Sequence, residues 1–325
     1  MTNRLTRRQF AIGTVAVATA RSANAQSRYP DKPIRVIVPF GAGGLADVTT
    51  RIVGEKLGAL LDQPIVVVNQ PGANGVLAAK AVLSAPADGY TLALFTNGTA
   101  ISVAMSGTQA FDPLREFVPL SGLGVFDFLF VTSAKSPYKT LGDVIAAAKA
   151  QPGTFNIGTI SAGSSQNLSG ALFTSLPGID AAIVAFRTTP DVITATLRGD
   201  VQVAIDGYSA VVSMLKAGEL RALATSGPQR FAGLPDVPTV AEAGVAGFDV
   251  TSWNGLFAIA GTPLDVIARV NAAIAEALVE PGVRGKLAEL GITPFGGTPA
   301  AIGARLSADI AKWNDVIARA GFAKP

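Results

Sequence analysis

The chain has 325 residues, 49% of them hydrophobic and 15% charged, which is enough apolar material for one large or two medium packed domains and argues against disorder. It contains no cysteine and no histidine, so thiol nucleophiles, Ser-His-Asp triads, imidazole acid–base chemistry and thiolate or imidazole metal sites are excluded. Four of its 26 basic residues, Arg4, Arg7, Arg8 and Arg21, lie in an acid-free stretch of 25 residues; beyond it 22 basic residues face 23 acidic ones, which offers nucleic acid no general attraction.

Those first 25 residues have the form of an export signal. Arg4 to Arg8 make a charged start, Ala11 to Ala20 an apolar run, and Ala23-Asn24-Ala25 a small-residue cleavage site. Thr6-Arg7-Arg8-Gln9-Phe10 resembles a twin-arginine signal. An apolar run of about ten residues falls short of the roughly 20 that span a bilayer. The expectation is cleavage after Ala25 and a mature chain that begins at Gln26 in the periplasm.

A short β-branched run, Ile34 to Val38, predicts a buried strand, and Gly41 to Gly44 a turn into a helix over 45–61. A second strand at 65–68, a helix at 76–84 and a third strand at 91–95 follow. The pattern then restarts. Thr140 and Asp143 have capping-box spacing ahead of a helix at 141–150, a strand follows at 155–160, and Ser161 to Ser165 lead into another helix. Strands are expected at 184–186 and 201–205, around a helix opened by Thr189-Pro190. After a strand at 253–259 the chain turns helical, with Thr262-Pro263 and Thr298-Pro299 each read as a cap before Pro at the first helical position. The last helix aligns Ile302, Leu306, Ile310, Trp313 and Ile317 on one face.

Alternating strands and helices predict an α/β fold with two lobes and a hinged cleft between them. The first lobe is expected to comprise residues 26–123 and 251–325, the second 124–250. The helical tail has no sheet of its own and should cover the first lobe.

Two turns can carry chemistry. Gly41-Ala42-Gly43-Gly44-Leu45-Ala46 satisfies G-x-G-x-x-A between strand and helix, yet Asn69 stands where a dinucleotide fold expects its ribose-binding acid. Glycine backbone and free N–H groups at a helix start attract any anion, a carboxylate included. The second turn, Ser161-Ala162-Gly163-Ser164-Ser165-Gln166-Asn167, offers the same chemistry from the other lobe. Asp206, at a strand end, reads either as an acceptor for a ligand donor or as a helix cap, and Arg187 either as a carboxylate partner or as a surface ion pair. Phe126, Phe128 and Phe130 alternate along one strand and read first as core, second as a ligand shelf.

Taken together, these stretches resemble the Bug/TctC family, the extracytoplasmic solute-binding proteins of tripartite tricarboxylate transporters. The likeness rests on Tyr29 to Arg35, Pro39 to Asp47, Asn69 to Ala73, Pro86 to Leu92, Leu234 to Thr239, Ala260 to Pro263 and Lys312-Trp313, in that order and spacing. It implies a periplasmic, type II, flytrap-like binding protein without catalysis, cofactor or metal. It also implies a monomer that captures a small carboxylate, dicarboxylate or aromatic, and delivers it to the membrane subunits of a transporter.

The same resemblance implies that Phe40, Gly43, Gly44 and Asp47 in the first loop meet the ligand. In the second loop it implies Ser161, Ala162, Gly163, Ser164, Ser165 and Asn167, with Asp206, and with Asn97 on the loop after the third strand. Phe126 and Arg187 complete the candidate site. Two departures leave ligand preference open: the family's Asn-Gly-Thr-like run and nearby His are here Ser164 to Asn167, and its Tyr-Lys-Gly or Tyr-Arg-Gly is Phe186-Arg187-Thr188. An exported α/β enzyme, oxidoreductase or hydrolase, and the receptor arm of a sensor are the alternatives.

Overall fold

The computed structural model describes residues 29–72, 75–105, 111–160 and 164–319; the export signal and residues 161–163 lie outside the described residues. In the first lobe β1 (Ile34–Val38), β2 (Ile65–Asn69) and β3 (Thr91–Thr96) alternate with α1 (Leu45–Leu61), α2 (Val76–Leu83) and α3 (Asn97–Met105). A long strand, β4 (Phe117–Ser133), crosses to the second lobe. That lobe holds α4 (Leu141–Ala150), β5 (Phe155–Ile160), α5 (Ser165–Ser175), β6 (Ala181–Phe186), α6 (Thr189–Arg198), β7 (Val203–Gly207), α7 (Tyr208–Lys216) and β8 (Leu220–Thr225). The chain returns through β9 (Thr251–Ile259) and ends in α8 (Leu264–Val279), α9 (Pro281–Glu289), the short β10 (Thr293–Pro294) and α10 (Pro299–Arg319).

The strand order is β2-β1-β3-β9-β4-β7-β5-β6, with β8 and β10 also paired to β4. Each lobe contains the same parallel unit: β2-β1-β3 in the first, β6-β5-β7 in the second, with the first strand of the unit in the middle. No sequence repeat accompanies this repeat of topology. β4 joins the two units by changing partner, pairing with β9 up to Asp127 and with β7 from Phe128 onward.

Packing follows the apolar runs. Ile34, Val36 and Val38 of β1 are buried with Leu57 and Leu61 of α1 and with Leu92 and Leu94 of β3. Phe95 sits among Phe111, Phe117 and Phe257, and Phe130 is wedged between Phe173 and Phe248. The expected stripe of α10 is the buried face, and it packs on α3 and β4. Both tryptophans donate inward, Trp253 Nε1 to Asp309 Oδ2 and Trp313 Nε1 to Asn97 Oδ1, each at 2.6 Å.

Most expected elements are present, including the Thr140–Asp143 capping box. Four differences have local causes. β7 runs two residues later than expected, because Asp206 and Gly207 still pair with β4. β6 begins at Ala181, paired with Phe155. Pro263, not Thr262, is the cap of α8, since its ψ of 141° is extended; Thr262 Oγ1 instead donates to Ile259 O. Asn97 is not in a loop: it is the first residue of α3, and it is buried.

Candidate functional site

The C-terminal ends of the parallel strands of both lobes open onto one cavity of about 800 Å³. That is the position at which open α/β sheets collect ligands, and the size suits a small organic molecule. Six helices begin around it, α1, α2 and α3 from the first lobe and α5, α6 and α7 from the second; α2 reaches the wall through its cap Gly75, and the other five contribute first-turn residues. Phe40, Met105, Phe126, Phe128, Ile160 and Leu290 supply apolar surface. Among the described residues the lining holds no lysine or arginine, and its one ionisable side chain is Asp206.

These helix starts differ in who satisfies them. α5 is capped by Ser164, whose Oγ accepts from Asn167 N at 3.1 Å and donates to Ile160 O at 2.6 Å. α3 is tied by Thr96 and Thr99: Gly98 N donates to Thr96 Oγ1 and Thr96 N to Thr99 Oγ1. α1 and α7 start on Gly44 and Gly207, both in extended conformation and neither with a side-chain cap. A helix start leaves N–H groups without intrahelical acceptors, and these two leave them without a side-chain acceptor as well. They also meet across the cleft, since a Cβ placed on Gly207 would lie 3.2 Å from Leu45 Cδ1. Each lobe therefore presents an uncapped, partially positive helix end where Leu45 meets Gly207, and α2, whose bare cap Gly75 also lines the cavity, adds another from the first lobe.

Behind the first loop a polar brace fixes its course. Asp47 is buried; it accepts from Gly43 N at 2.9 Å, from Arg51 Nε at 3.0 Å and from Asn69 Nδ2 at 2.9 Å. Asn69 Nδ2 also donates to Phe40 O. Burial by itself would raise the Asp47 pKa, but the hydrogen bonds from Arg51, Gly43 and Asn69 outweigh it and hold the carboxyl below its ordinary value. The residue at the ribose position of a dinucleotide fold is thus spent on bracing this loop.

Asp206 is 4% exposed and accepts from Thr189 Oγ1 at 2.7 Å, Gly207 N at 2.8 Å and Gln166 Nε2 at 3.4 Å. Burial raises its pKa, and these three donors only partly offset the rise. Of the expected site residues, the structure brings Phe40, Gly43, Gly44, Phe126, Ser164, Ser165 and Asp206 to the cavity wall. Asp47, Asn97 and Asn167 lie behind it. Asn97 donates to Ser165 Oγ at 3.2 Å, and Asn167 donates to Thr159 Oγ1 at 3.1 Å. Arg187 is exposed and outside the lining, and Ser161, Ala162 and Gly163 lie outside the described residues. Gly207, Ser209, Ser252 and Asn254, none of them expected from the sequence, also line the cavity. For the first two a signal exists: strand, glycine and amphipathic helix recur there in the same order as in the first loop.

A family model described as "Tripartite tricarboxylate transporter family receptor" matches residues 49–322. The chain belongs to the TctC family. TctC proteins are solute-binding proteins and not enzymes, so the oxidoreductase and hydrolase alternatives fall away. The chain is 33% identical over 312 residues to protein BugT of Bordetella pertussis, covering 95% of each chain. Two solved structures are similar to it. Rpa4515 of R. palustris with adipate is 30% identical, with a TM-score of 0.80 over 90% of this chain and 98% of that one. MatC (Rpa3494) of Rhodopseudomonas palustris with bound malate is 32% identical, with a TM-score of 0.77 over 89% and 100%. The fold is accordingly the two-lobed α/β architecture of periplasmic binding proteins. Among the described residues no helix is long and apolar enough to cross a membrane.

Proposed function

We propose that this TctC protein captures a small organic carboxylate between its lobes in the periplasm and delivers it to the membrane subunits of a tripartite tricarboxylate-type transporter. The observation that carries the reading is the pair of uncapped helix starts, Gly44 and Gly207, which meet from opposite lobes in a cavity whose lining, among the described residues, holds no cationic side chain. Backbone N–H groups attract a carboxylate without requiring a buried lysine or arginine. The adipate and malate complexes of the two similar proteins support the same ligand class.

Magnitudes explain why both lobes are needed. A helix start contributes up to about 2 kcal/mol to a partly buried anion. Two starts give about 4, whereas micromolar affinity requires about 8. Hydrogen bonds from the wall, made in a cleft that excludes water, supply the rest, so lobe closure and binding are one equilibrium. The lobes in this reading comprise residues 26–123 with 251–325, and 124–250, and hinge where β4 changes partners. Residues 1–25 direct export and are removed after Ala25, and the mature chain acts as a monomer.

The test is a thermal-shift screen of residues 26–325 against mono-, di- and tricarboxylates, aromatic acids, amino acids and NAD(P). A saturable rise in Tm with a carboxylate is the expected result. A rise with NAD(P) alone, or none with any acid, overturns the proposal.

A further inference from the structure

The six helix starts around the cavity fall into two groups. α1, α2 and α7 start on glycines without a side-chain cap, and they adjoin one another through the first loop: a Cβ on Gly75 would lie 3.5 Å from Pro39 Cβ, and one on Gly207 3.2 Å from Leu45 Cδ1. α3, α5 and α6 have side-chain partners; for α6 the cap is Thr188, whose Oγ1 accepts from Asp191 N at 3.4 Å. The starts of α5 and α6 also hold an anion that the chain itself supplies. Gln166, the second residue of α5, donates from Nε2 at 3.4 Å to Asp206 Oδ1, and Thr189, the first residue of α6, donates from Oγ1 at 2.7 Å to Asp206 Oδ2. Gly207 N adds a bond to Oδ1 at 2.8 Å. Both oxygens accept, as those of an ionised carboxylate do. Gln166, Thr189 and Asp206 all line the cavity, whose lining holds no cation among the described residues to neutralise Asp206.

A ligand whose first carboxylate takes the uncapped starts has two places left for a second one. The first is the apolar wall of Phe126, Phe128, Met105 and Ile160, where a charge loses its water and gains no partner. The other is the start of α5 and α6, where Asp206 already holds the donors and repels a like charge without a cation between them. An apolar chain or ring meets neither obstacle, and each CH2 group it withdraws from water is worth about fourfold in affinity. We infer that Asp206 is a resident carboxylate standing in the place of a ligand's second one, and that it makes the site select monocarboxylates with an apolar body over diacids of the same length. This rests on the carboxylate reading above and narrows it to one class of acid.

The test is affinity at pH 8, by titration calorimetry, for pairs that differ only in a terminal carboxylate. The pairs are butyrate and succinate, hexanoate and adipate, octanoate and suberate, and 3-phenylpropionate and 3-(4-carboxyphenyl)propionate. In whichever pairs bind, the monoacid is expected to bind at least tenfold more tightly than the diacid. In Asp206→Ser, which vacates the place beside Gln166 and Thr189, and in Asp206→Asn, which keeps the volume without the charge, that ratio should fall at least tenfold. A merely structural role would weaken both acids alike and leave the ratio where it was. Diacids that bind the wild type as tightly as their monoacids, or more tightly, overturn this inference and leave carboxylate capture standing. A ratio that survives in either variant overturns the role of Asp206, as does failure of both variants to fold. If no member of any pair binds, this inference falls, and carboxylate capture falls with it only when the thermal-shift screen is silent as well.

Discussion

The two lobes repeat one topology but divide its helix starts in opposite ways. In the first lobe the helix after the central strand, α1, is uncapped, and the helix after the third strand, α3, is tied by threonines. In the second lobe the assignment is reversed: α5 is capped by Ser164, and α7 starts on bare Gly207. Across the cleft like meets like, with α1 against α7 near Leu45, and α3 against α5 through the Asn97–Ser165 hydrogen bond. At one end of the cavity each helix start therefore has an N–H bonded to a protein side chain, and at the other neither start has a side-chain cap. The lesson is that a turn of small residues before a helix does not make an anion site. What makes one is the lack of a side chain competing for the N–H groups.

The strongest way to break this comparison is to cap a free start. Gly44 has φ −74° and ψ 164°, which any residue adopts, and a Cβ there would have only Gly41 O nearby, at 3.8 Å. In Gly44→Asp the carboxylate should cap α1 and take the place of the ligand's own. The expected loss of carboxylate affinity is at least a hundredfold, about 2.7 kcal/mol. Tm should not fall, because Asp is a slightly better cap than Gly. Unchanged affinity by calorimetry removes the α1 start from the site.

A second prediction moves from the helix starts to the strands that join the lobes. Asp127 sits where β4 changes partner, and its pKa is pushed up to about 6 by burial and by Asp249, with Arg305 opposing. Because the folded value lies above the ordinary 3.8, the protonated form favours folding. That contribution is complete below about pH 4 and is lost as pH rises through about 6. Asp127→Asn should match the wild type near pH 4 and exceed its stability by about 2 kcal/mol at pH 8, after allowance for partial exposure. Urea melts across that range check it; parallel profiles for the two proteins count against it. Were the cleft as charge-dependent as this crossover, the contrast drawn between capped and uncapped starts would lose its force.

Legibility in the sequence differs from element to element. β1, α1 and β5 are legible because apolar runs end at clear turns, and the loops after both central strands stand out through their glycines and serines, with residues of each lining the cavity. α3 is missed because seven of its nine residues are buried and its apolar pattern has no helical period. α7 is signalled only by Asp206 as a possible helix cap, whereas the cap is Gly207 and both residues are buried in the sheet. Asp47 looks like a ligand residue in a glycine-rich loop, but its carboxylate is turned onto Gly43, Arg51 and Asn69, which only the folded chain brings together. Asn254 gives no signal at all. In sequence it is one polar residue in an apolar strand, and what distinguishes it, an amide without partners, exists only after folding.

The brace behind the first loop gives a smaller effect of mixed kind. Asp47→Ala leaves Gly43 N–H and Asn69 without their acceptor and should cost about 1–2 kcal/mol of stability. Affinity should fall roughly tenfold, because the loop and not a ligand contact is disturbed. A loss as large as that of Gly44→Asp, with stability unchanged, would make Asp47 a direct ligand residue.

The smallest expected effect falls on the capped side. Ser164→Ala removes the acceptor for Asn167 N and the donor to Ile160 O, and loss of such a cap costs about 1 kcal/mol. Its N–H partner belongs to the protein and not to the ligand, so carboxylate affinity should change less than threefold while Tm drops. Gly44→Asp and Ser164→Ala therefore form a crossed pair, the first losing binding without stability and the second losing stability without binding. If Ser164→Ala instead loses a hundredfold in affinity, its hydroxyl serves the ligand, and the division between satisfied and free helix starts is wrong for the second lobe.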